Sequence, residues 1–288
     1  MTIRSVIAAA ALAASFSVLA LEQEETFTDL VPGSDMLDPG NLAQLIRQGD
    51  VRAMNNIGLL WAKGYQGRQS YAEAMRWWTE AARRGYTVAM NNIGLAYASG
   101  HGVYRDLAKA FEWWHQAAFL GDAWAMNSVG DCYEKGDGVE QDFMMAMTWY
   151  QSAAQRGDRM ALYNIGALFE DAKGVTRDYL EAMSWYRQSA EKGEASAMRA
   201  IGRLFRDGLG VNTDPVEAWA WHSVADARFR PEEAGEANLN RRELELLGTA
   251  LSAEQLAQAR TRAAQIDLLT RQPVSDQKAP QNSRESRT

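Results

Sequence analysis

Small and apolar residues recur through the middle of the chain at the spacing of one helix face, and the whole pattern returns every 36 residues. An alanine opens each copy, and an isoleucine or valine, a glycine and an aromatic residue follow 4, 5 and 8 positions later. These offsets share one face of an α-helix, so the pattern predicts five copies of one helix, called helix A. The alanines are Ala53, Ala89, Ala125, Ala161 and Ala197, and the glycines are Gly58, Gly94, Gly130, Gly166 and Gly202.

A second helical pattern, called helix B, follows each helix A after a glycine-containing loop such as "GHGV". In each copy an alanine precedes a tryptophan by three positions, and in four copies a glycine comes where a helix C-cap is expected. Each copy is therefore predicted to be a helical hairpin. The tryptophans are Trp77, Trp113, Trp149, Trp185 and Trp221, and the capping glycines are Gly85, Gly121, Gly157 and Gly193.

The glycine inside helix A needs a packing explanation, because it costs about 1 kcal/mol relative to alanine. The sequence predicts that helix B approaches this glycine through its alanines, with the tryptophans filling the space between hairpins. A single hairpin would leave an apolar face exposed, so the hairpins are expected to stack.

The repeated motif A-x-x-N-I/V-G-x-x-Y/F, followed by G-x-G-V and A-x-x-W, resembles the Sel1-like repeat, a relative of the tetratricopeptide repeat. The resemblance covers about residues 50 to 230. It implies an all-α fold: a right-handed α-solenoid of stacked helix-turn-helix Sel1-like repeats with helical caps.

The flanks of the repeats divide the chain into further segments. Residues 1–20 join a basic start to an uncharged apolar run, which is typical of a cleaved export signal; the alternative is an uncleaved N-terminal anchor. Ser252 and Gln255 have the spacing of a helix capping box, and the polar end after Arg271 is expected to be disordered. The predicted order is signal peptide 1–20, linker 21–36, N-terminal capping segment 37–52, five repeats 53–230, C-terminal capping helices 231–270 and tail 271–288.

Composition excludes several classes of function. The formal charge of −7 argues against a nucleic-acid partner. Cys132, the sole cysteine, cannot form an internal disulfide and is expected to be a small buried residue. His101, His115 and His222 lack metal-ligand spacing, so no metal or cofactor is expected. We expect a monomer, periplasmic or secreted, without a transmembrane segment in the mature chain.

One short motif invites an enzymatic interpretation. Ser189 and Lys192 form S-x-x-K, the opening motif of serine β-lactamases. The motifs S-D-N and K-T-G do not accompany it, and Ser189 takes a helix-B position that is alanine in other repeats. The sequence therefore predicts a protein that is not an enzyme.

The candidate binding surface follows from the resemblance. In tetratricopeptide-like solenoids, helix-A positions at offsets −1, +2, +6 and +9 from the first alanine line the concave surface. We call these positions the helix-A stripe. It begins apolar with asparagines, becomes acidic and ends in arginines, as a groove for a protein segment would. An equally weighted alternative for the arginines is that Glu170 pairs with Arg203 or Arg206 across neighbouring repeats. The candidates are Asn55, Leu59, Asn91, Leu95, Trp124, Asn127, Asp131, Glu134, Tyr163, Glu170, Arg199, Arg203 and Arg206.

The predicted function is that of a scaffold or adaptor in the bacterial cell envelope, binding a protein or peptide partner on this stripe. Two alternatives remain open at this point. One is a β-lactamase-like or peptidoglycan-directed hydrolase, and the other is a module that binds cell-wall glycans.

Overall fold

The computed structural model describes residues 44–64 and 69–271, which contain helices and no strand. The predicted signal peptide and linker, and the predicted tail beyond Arg271, lie outside the described residues. A short helical segment covers residues 44–47, within the predicted N-terminal cap. No helix in the described part is long and apolar enough to cross a membrane.

Within the described residues, ten helices form five consecutive hairpins, and each helix packs mainly against its neighbours in the chain. The all-α solenoid prediction is confirmed. The helices A are α1 (Val51–Lys63), α3 (Thr87–Ser99), α5 (Ala123–Lys135), α7 (Arg159–Asp171) and α9 (Ala195–Asp207). The helices B are α2 (Tyr71–Arg83), α4 (Leu107–Phe119), α6 (Phe143–Gln155), α8 (Tyr179–Glu191) and α10 (Pro215–Asp226).

Polar caps and left-handed residues set the ends of these helices. Aspartate side chains accept hydrogen bonds from backbone N–H groups at most helix starts, as Asp122 Oδ1 does from Ala125 N at 2.9 Å. Each helix A ends at a residue in the left-handed region of backbone conformation. This residue is glycine in repeats one, two, three and five, and it is Ala172 (φ 59°) in repeat four. The capping glycines predicted after helices B have positive φ, as in Gly121 at 93°.

The helix-A glycines meet rings rather than alanines, so that part of the packing prediction was wrong. A Cβ on Gly94 would lie 2.3 Å from the indole of Trp114, and one on Gly130 would lie 2.6 Å from the ring of Tyr150. The ring belongs to the residue after the repeated tryptophan in the first four repeats, where that tryptophan is itself half-buried. In repeat five it likewise follows Trp221. The five rings are Trp78, Trp114, Tyr150, Tyr186 and His222.

Three further elements close the C-terminal end: a 3-10 turn (Pro231–Glu233), α11 (Ala234–Ala250) and α12 (Ala253–Thr270). Both capping helices pack on α10. The predicted capping box is confirmed, since Gln255 N donates to Ser252 Oγ and Ser252 N donates to Gln255 Oε1. Arg228 joins the last repeat to α12 through Asp267.

Candidate functional site

The helix-A stripe is closed in its first two repeats. Asn55, Leu59 and Asn91 are buried, at 0%, 3% and 4% exposure, and Leu95 is half-buried. The sequence predicted an exposed apolar groove beginning at Leu59, and this was wrong for the buried side chains. They pack within the array: Leu59 belongs to the buried core, and Asn55 contacts Trp78 of its own hairpin and Asn92 of the next repeat.

The stripe asparagines link successive repeats. Asn92 Nδ2 donates to Asn55 Oδ1 at 2.9 Å, and Asn164 Nδ2 donates to Asn127 Oδ1 at 3.0 Å. In both bonds the donor is the residue at offset +3 of the next repeat. Each bond spans the junction between two hairpins, so Asn55 and Asn127 have a structural role in this arrangement.

This ladder of asparagines is interrupted between repeats two and three. Ser128 stands where repeats one, two and four have asparagine, and its hydroxyl donates to Trp124 O. The buried Oδ1 of Asn91 is consequently left without a donor in the described structure, although its Nδ2 reaches Asp122 Oδ1 at 3.2 Å. The interruption lies beside Trp124.

The exposed aromatic part of the stripe lies in repeats three and four. Trp124 is 42% exposed and meets the Trp114 ring edge-on, with ring centroids 6.1 Å apart. Tyr163 is half-buried and lies over Tyr186, with centroids 5.5 Å apart. Burial, followed by the charge of Glu236, raises the pKa of Tyr163, so this side chain stays a neutral hydrogen-bonding group.

The carboxylates in the middle of the stripe are all paired. Glu134 accepts from the Tyr150 hydroxyl at 2.8 Å and from Lys173 Nζ at 3.0 Å. Asp131 pairs with Lys135 of its own helix at 2.7 Å.

Glu170 is buried and follows the same scheme one repeat later. It accepts from the Tyr186 hydroxyl and from Arg203 Nη2, each at 2.7 Å. Of the two interpretations of the arginines, the one in which Glu170 pairs with Arg203 or Arg206 across adjacent repeats is confirmed for Arg203. Arg206 does not join this pair.

The basic end of the stripe holds the C-terminal cap. Arg199 pairs with Glu236 and Glu243 of α11, and Arg206 Nη1 lies 3.2 Å from Glu243 Oε1. These two arginines therefore do not form an open clamp for an acidic partner, as the sequence had suggested. Their carboxylate partners are instead glutamates of α11 in the same chain.

His222 is a structural residue that sequence reasoning left unassigned. It is fully buried beneath Gly202, and its Nδ1 lies 2.7 Å from Asn240 Oδ1. Asn240 Nδ2 returns a bond to His222 O at 2.9 Å. Burial lowers the pKa of His222, so the ring is held neutral. Its position directly after Trp221, where the other repeats have a buried aromatic residue, could have indicated its burial from the sequence.

Ser189 and Cys132 are inaccessible. Ser189 is fully buried and donates to Arg159 O at 2.7 Å, which leaves no free hydroxyl for nucleophilic attack. Burial raises the pKa of Cys132 to about 12, so no thiolate forms at neutral pH. Among residues 44–64 and 69–271, no group of His, Cys, Asp and Glu side chains could hold a metal ion.

The stacked hairpins define the chain as an α-solenoid repeat protein. Residues 51–86, 87–122, 125–158, 159–194 and 195–225 each match the family model of the Sel1 repeat. These segments cover more than half of the chain, which therefore belongs to the Sel1 repeat family.

A solved structure agrees with this fold. The chain is similar to a Sel1 repeat protein from Oxalobacter formigenes, with 28% identity, 67% of this chain and 80% of that chain covered, and a TM-score of 0.59. A Sel1 repeat protein from Klebsiella pneumoniae is 18% identical (72% and 98% covered, TM-score 0.47). An immunity protein from Pseudomonas aeruginosa is 19% identical (80% and 86% covered, TM-score 0.49). These last two likenesses, with TM-scores below 0.5, carry no argument about fold or function. No curated protein matches the chain.

Proposed function

We propose that the protein is a non-catalytic scaffold of the bacterial cell envelope that binds a segment of a partner protein on its helix-A stripe. The observation that carries the proposal is the exposed ring of Trp124, which is 42% accessible on that stripe. Large aromatic side chains at the centre of an interface supply much of its binding energy.

The open part of the stripe defines what the partner segment contacts. Repeats one and two are closed by packing, and α11 occupies repeat five. The segment therefore lies across repeats three and four, between Trp124 and Tyr163. An apolar side chain of the partner packs on Trp124, and a basic one approaches Asp131, whose side chain is 42% exposed.

The location in the envelope rests on the predicted signal peptide, residues 1–20. Its test is N-terminal sequencing of the protein recovered from a periplasmic fraction. A chain that begins near Leu21 supports export, whereas a chain that begins at Met1 in the cytoplasm contradicts it.

The interaction is tested by capture from envelope extract with three baits: the unaltered protein, Trp124→Ser and Arg76→Ala. Serine is native at the equivalent position of repeat five, Ser196, so Trp124→Ser preserves the fold. Arg76 is exposed on helix B and pairs only within its own helix in the described structure. A partner held by the unaltered protein and by Arg76→Ala, and lost by Trp124→Ser, supports the proposal. Equal capture by all three baits rejects it.

The exposed indole also favours the glycan-binding alternative, because aromatic faces stack on sugar rings. Titration with soluble cell-wall fragments separates the two functions. Saturable binding that Trp124→Ser abolishes, with no captured protein, would replace the scaffold by a glycan module. The hydrolase alternative has no support at Ser189, which is buried.

A further inference from the structure

Helix α6 differs from the other helices B in having no charged residue. Its 13 residues read FMMAMTWYQSAAQ. The other four helices B each carry two or more charged side chains, such as Glu181, Arg187 and Glu191 in α8. The solvent side of α6 instead presents Met144, 61% exposed, and Met145, 36% exposed.

The apolar surface of α6 continues onto the end of α4. Phe119 is 74% exposed and Leu120 is 58% exposed. The rings of Phe119 and Trp149 meet edge-on, with centroids 6.2 Å apart, so the two helices share one surface. We call this surface the α6 patch: Phe119, Leu120, Met144, Met145 and Trp149.

Met145 differs from the charged residues that the other four repeats carry at its position. In repeat four the indole Nε1 of Trp185 donates to Glu181 Oε1 at 2.9 Å. In repeat three Met145 takes the place of that glutamate, and the buried Nε1 of Trp149 has no partner in the described structure. In repeat five the glutamate is present as Glu217, yet the buried Nε1 of Trp221 also lacks a partner in the described structure. The distinctive property of Met145 is therefore an uncharged side chain that is partly exposed.

We infer that the α6 patch pairs with the same patch on a second copy of the chain. In a two-fold interface, residues near the axis face their own copies, so any charge there meets a like charge. Because α6 alone among the helices B is uncharged, its surface can meet itself without that repulsion wherever the axis falls along the helix. This departs from the expectation of a monomer.

Apart from residues 1–20, the apolar run expected to be removed on export, the segments outside the described structure offer no better occupant for the patch. The sequence of residues 272–288 is polar and carries five charged side chains, and residues 21–43 carry six acidic side chains and no basic one. Neither composition suits an uncharged apolar surface.

The pairing leaves the helix-A stripe free, because the patch lies on helices B. At about 1.5 Å per residue, α6 is about 20 Å long, so the contact is a small one. We expect a dissociation constant in the micromolar range. The net charge of −7 makes copies repel, so added salt should strengthen the dimer. A dimer would present two stripes and bind a bivalent partner with higher avidity.

The test is sedimentation velocity of the purified full chain over a range of concentrations, at low and high salt. Mass should rise from one chain to two with concentration. Met145→Glu should weaken association at least about tenfold, since it places a carboxylate of each copy in the interface. This variant should fold, because repeats one, four and five carry Glu73, Glu181 and Glu217 at that position.

The matched control is Ser184→Glu, which is also an exposed position but lies on α8. It adds the same charge away from the patch and should leave the dissociation constant unchanged. A chain that stays at the mass of one copy at every concentration overturns the inference. Equal weakening by both glutamates also overturns it, since only net charge would then matter. Circular dichroism of each variant checks that the helices remain.

Discussion

The first two repeats and the next two differ in the aromatic ring that lies beneath the helix-A glycine and in the hydrogen bond that its polar group makes. In repeats one and two the ring beneath the helix-A glycine is an indole. Trp78 Nε1 donates to Asn55 O at 3.3 Å, and Trp114 Nε1 donates to Asn91 O at 3.4 Å. In repeats three and four the ring is a phenol, and its hydroxyl donates to a glutamate on the stripe.

The residue at offset +9 of helix A changes with the ring. It is Ala62 or Ala98 where the ring is an indole, and Glu134 or Glu170 where the ring is a phenol. A backbone carbonyl satisfies the indole inside the hairpin, whereas the phenol requires a carboxylate that then needs a cation. The glutamates of the stripe therefore occur in the repeats whose buried ring is a tyrosine.

The first prediction concerns the ring contact that both regions share. Gly94→Ala and Gly130→Ala should each lower the free energy of unfolding by about 3 kcal/mol, because the new methyl group overlaps a ring that cannot retreat. Gly94→Ala should be the worse of the two, since its Cβ would lie closer. Chemical denaturation provides the measurement.

Gly235→Ala is the control for these glycine variants. Gly235 lies in helix α11, and a methyl group added there would meet no neighbouring atom within 4 Å, so alanine should be neutral or slightly stabilising. If all three variants behave alike, helix propensity and not ring contact governs these positions.

The second prediction separates the two phenols. Tyr186→Phe should cost about 2 kcal/mol of unfolding free energy, because it removes a hydrogen bond to the buried Glu170. Tyr150→Phe should cost about 1 kcal/mol, because Glu134 retains more solvent. Double-mutant cycles with Glu170→Gln and Glu134→Gln measure the coupling. A larger coupling at Tyr150 would contradict the role assigned to burial.

The third prediction extends the comparison to His222, the ring of repeat five. Its lowered pKa means that the unfolded chain takes up a proton at higher pH than the folded chain. The stability contributed by the neutral ring is complete above about pH 6.5 and decreases as the pH falls below that value. Burial dominates here, while the hydrogen bond with Asn240 and the charge of Glu243 oppose the shift.

The measurement compares unfolding of the unaltered protein with that of His222→Gln between pH 7 and pH 5. The stability advantage of the unaltered protein should shrink toward pH 5, since glutamine does not titrate. Parallel curves would mean that His222 makes no contribution to the pH dependence.

The smallest expected effect is a gain. Ala172 ends α7 in the left-handed region at φ 59°, where the other helices A end in glycine. Ala172→Gly should raise the free energy of unfolding by about 0.5–1 kcal/mol, because it relieves the strain of the alanine Cβ. Gly136→Ala, the reverse change in repeat three at φ 76°, should lower it by a similar amount. Thermal unfolding of the two variants should shift in opposite directions.

Sequence reasoning reached the hairpins, the capping box at Ser252 and the pairing of Glu170 with Arg203, because each depends on regular spacing. It missed the burial of Leu59 and the capture of Arg199 and Arg206 by α11. These two outcomes depend on contacts between separate helices, and the spacing of residues within one repeat does not specify those contacts. The ring beneath each glycine was also missed, since two adjacent aromatic residues compete for that place and spacing alone does not choose between them.

The sequence by itself determined the number of repeats, the helix pair in each and the fact that the pairs stack. Helical periodicity and the 36-residue repeat are local properties written into the order of residues. Only the tertiary structure decided which part of the stripe is open. That outcome depends on hydrogen bonds between residues about one repeat apart and on the docking of α11, whose glutamates face the arginines of α9.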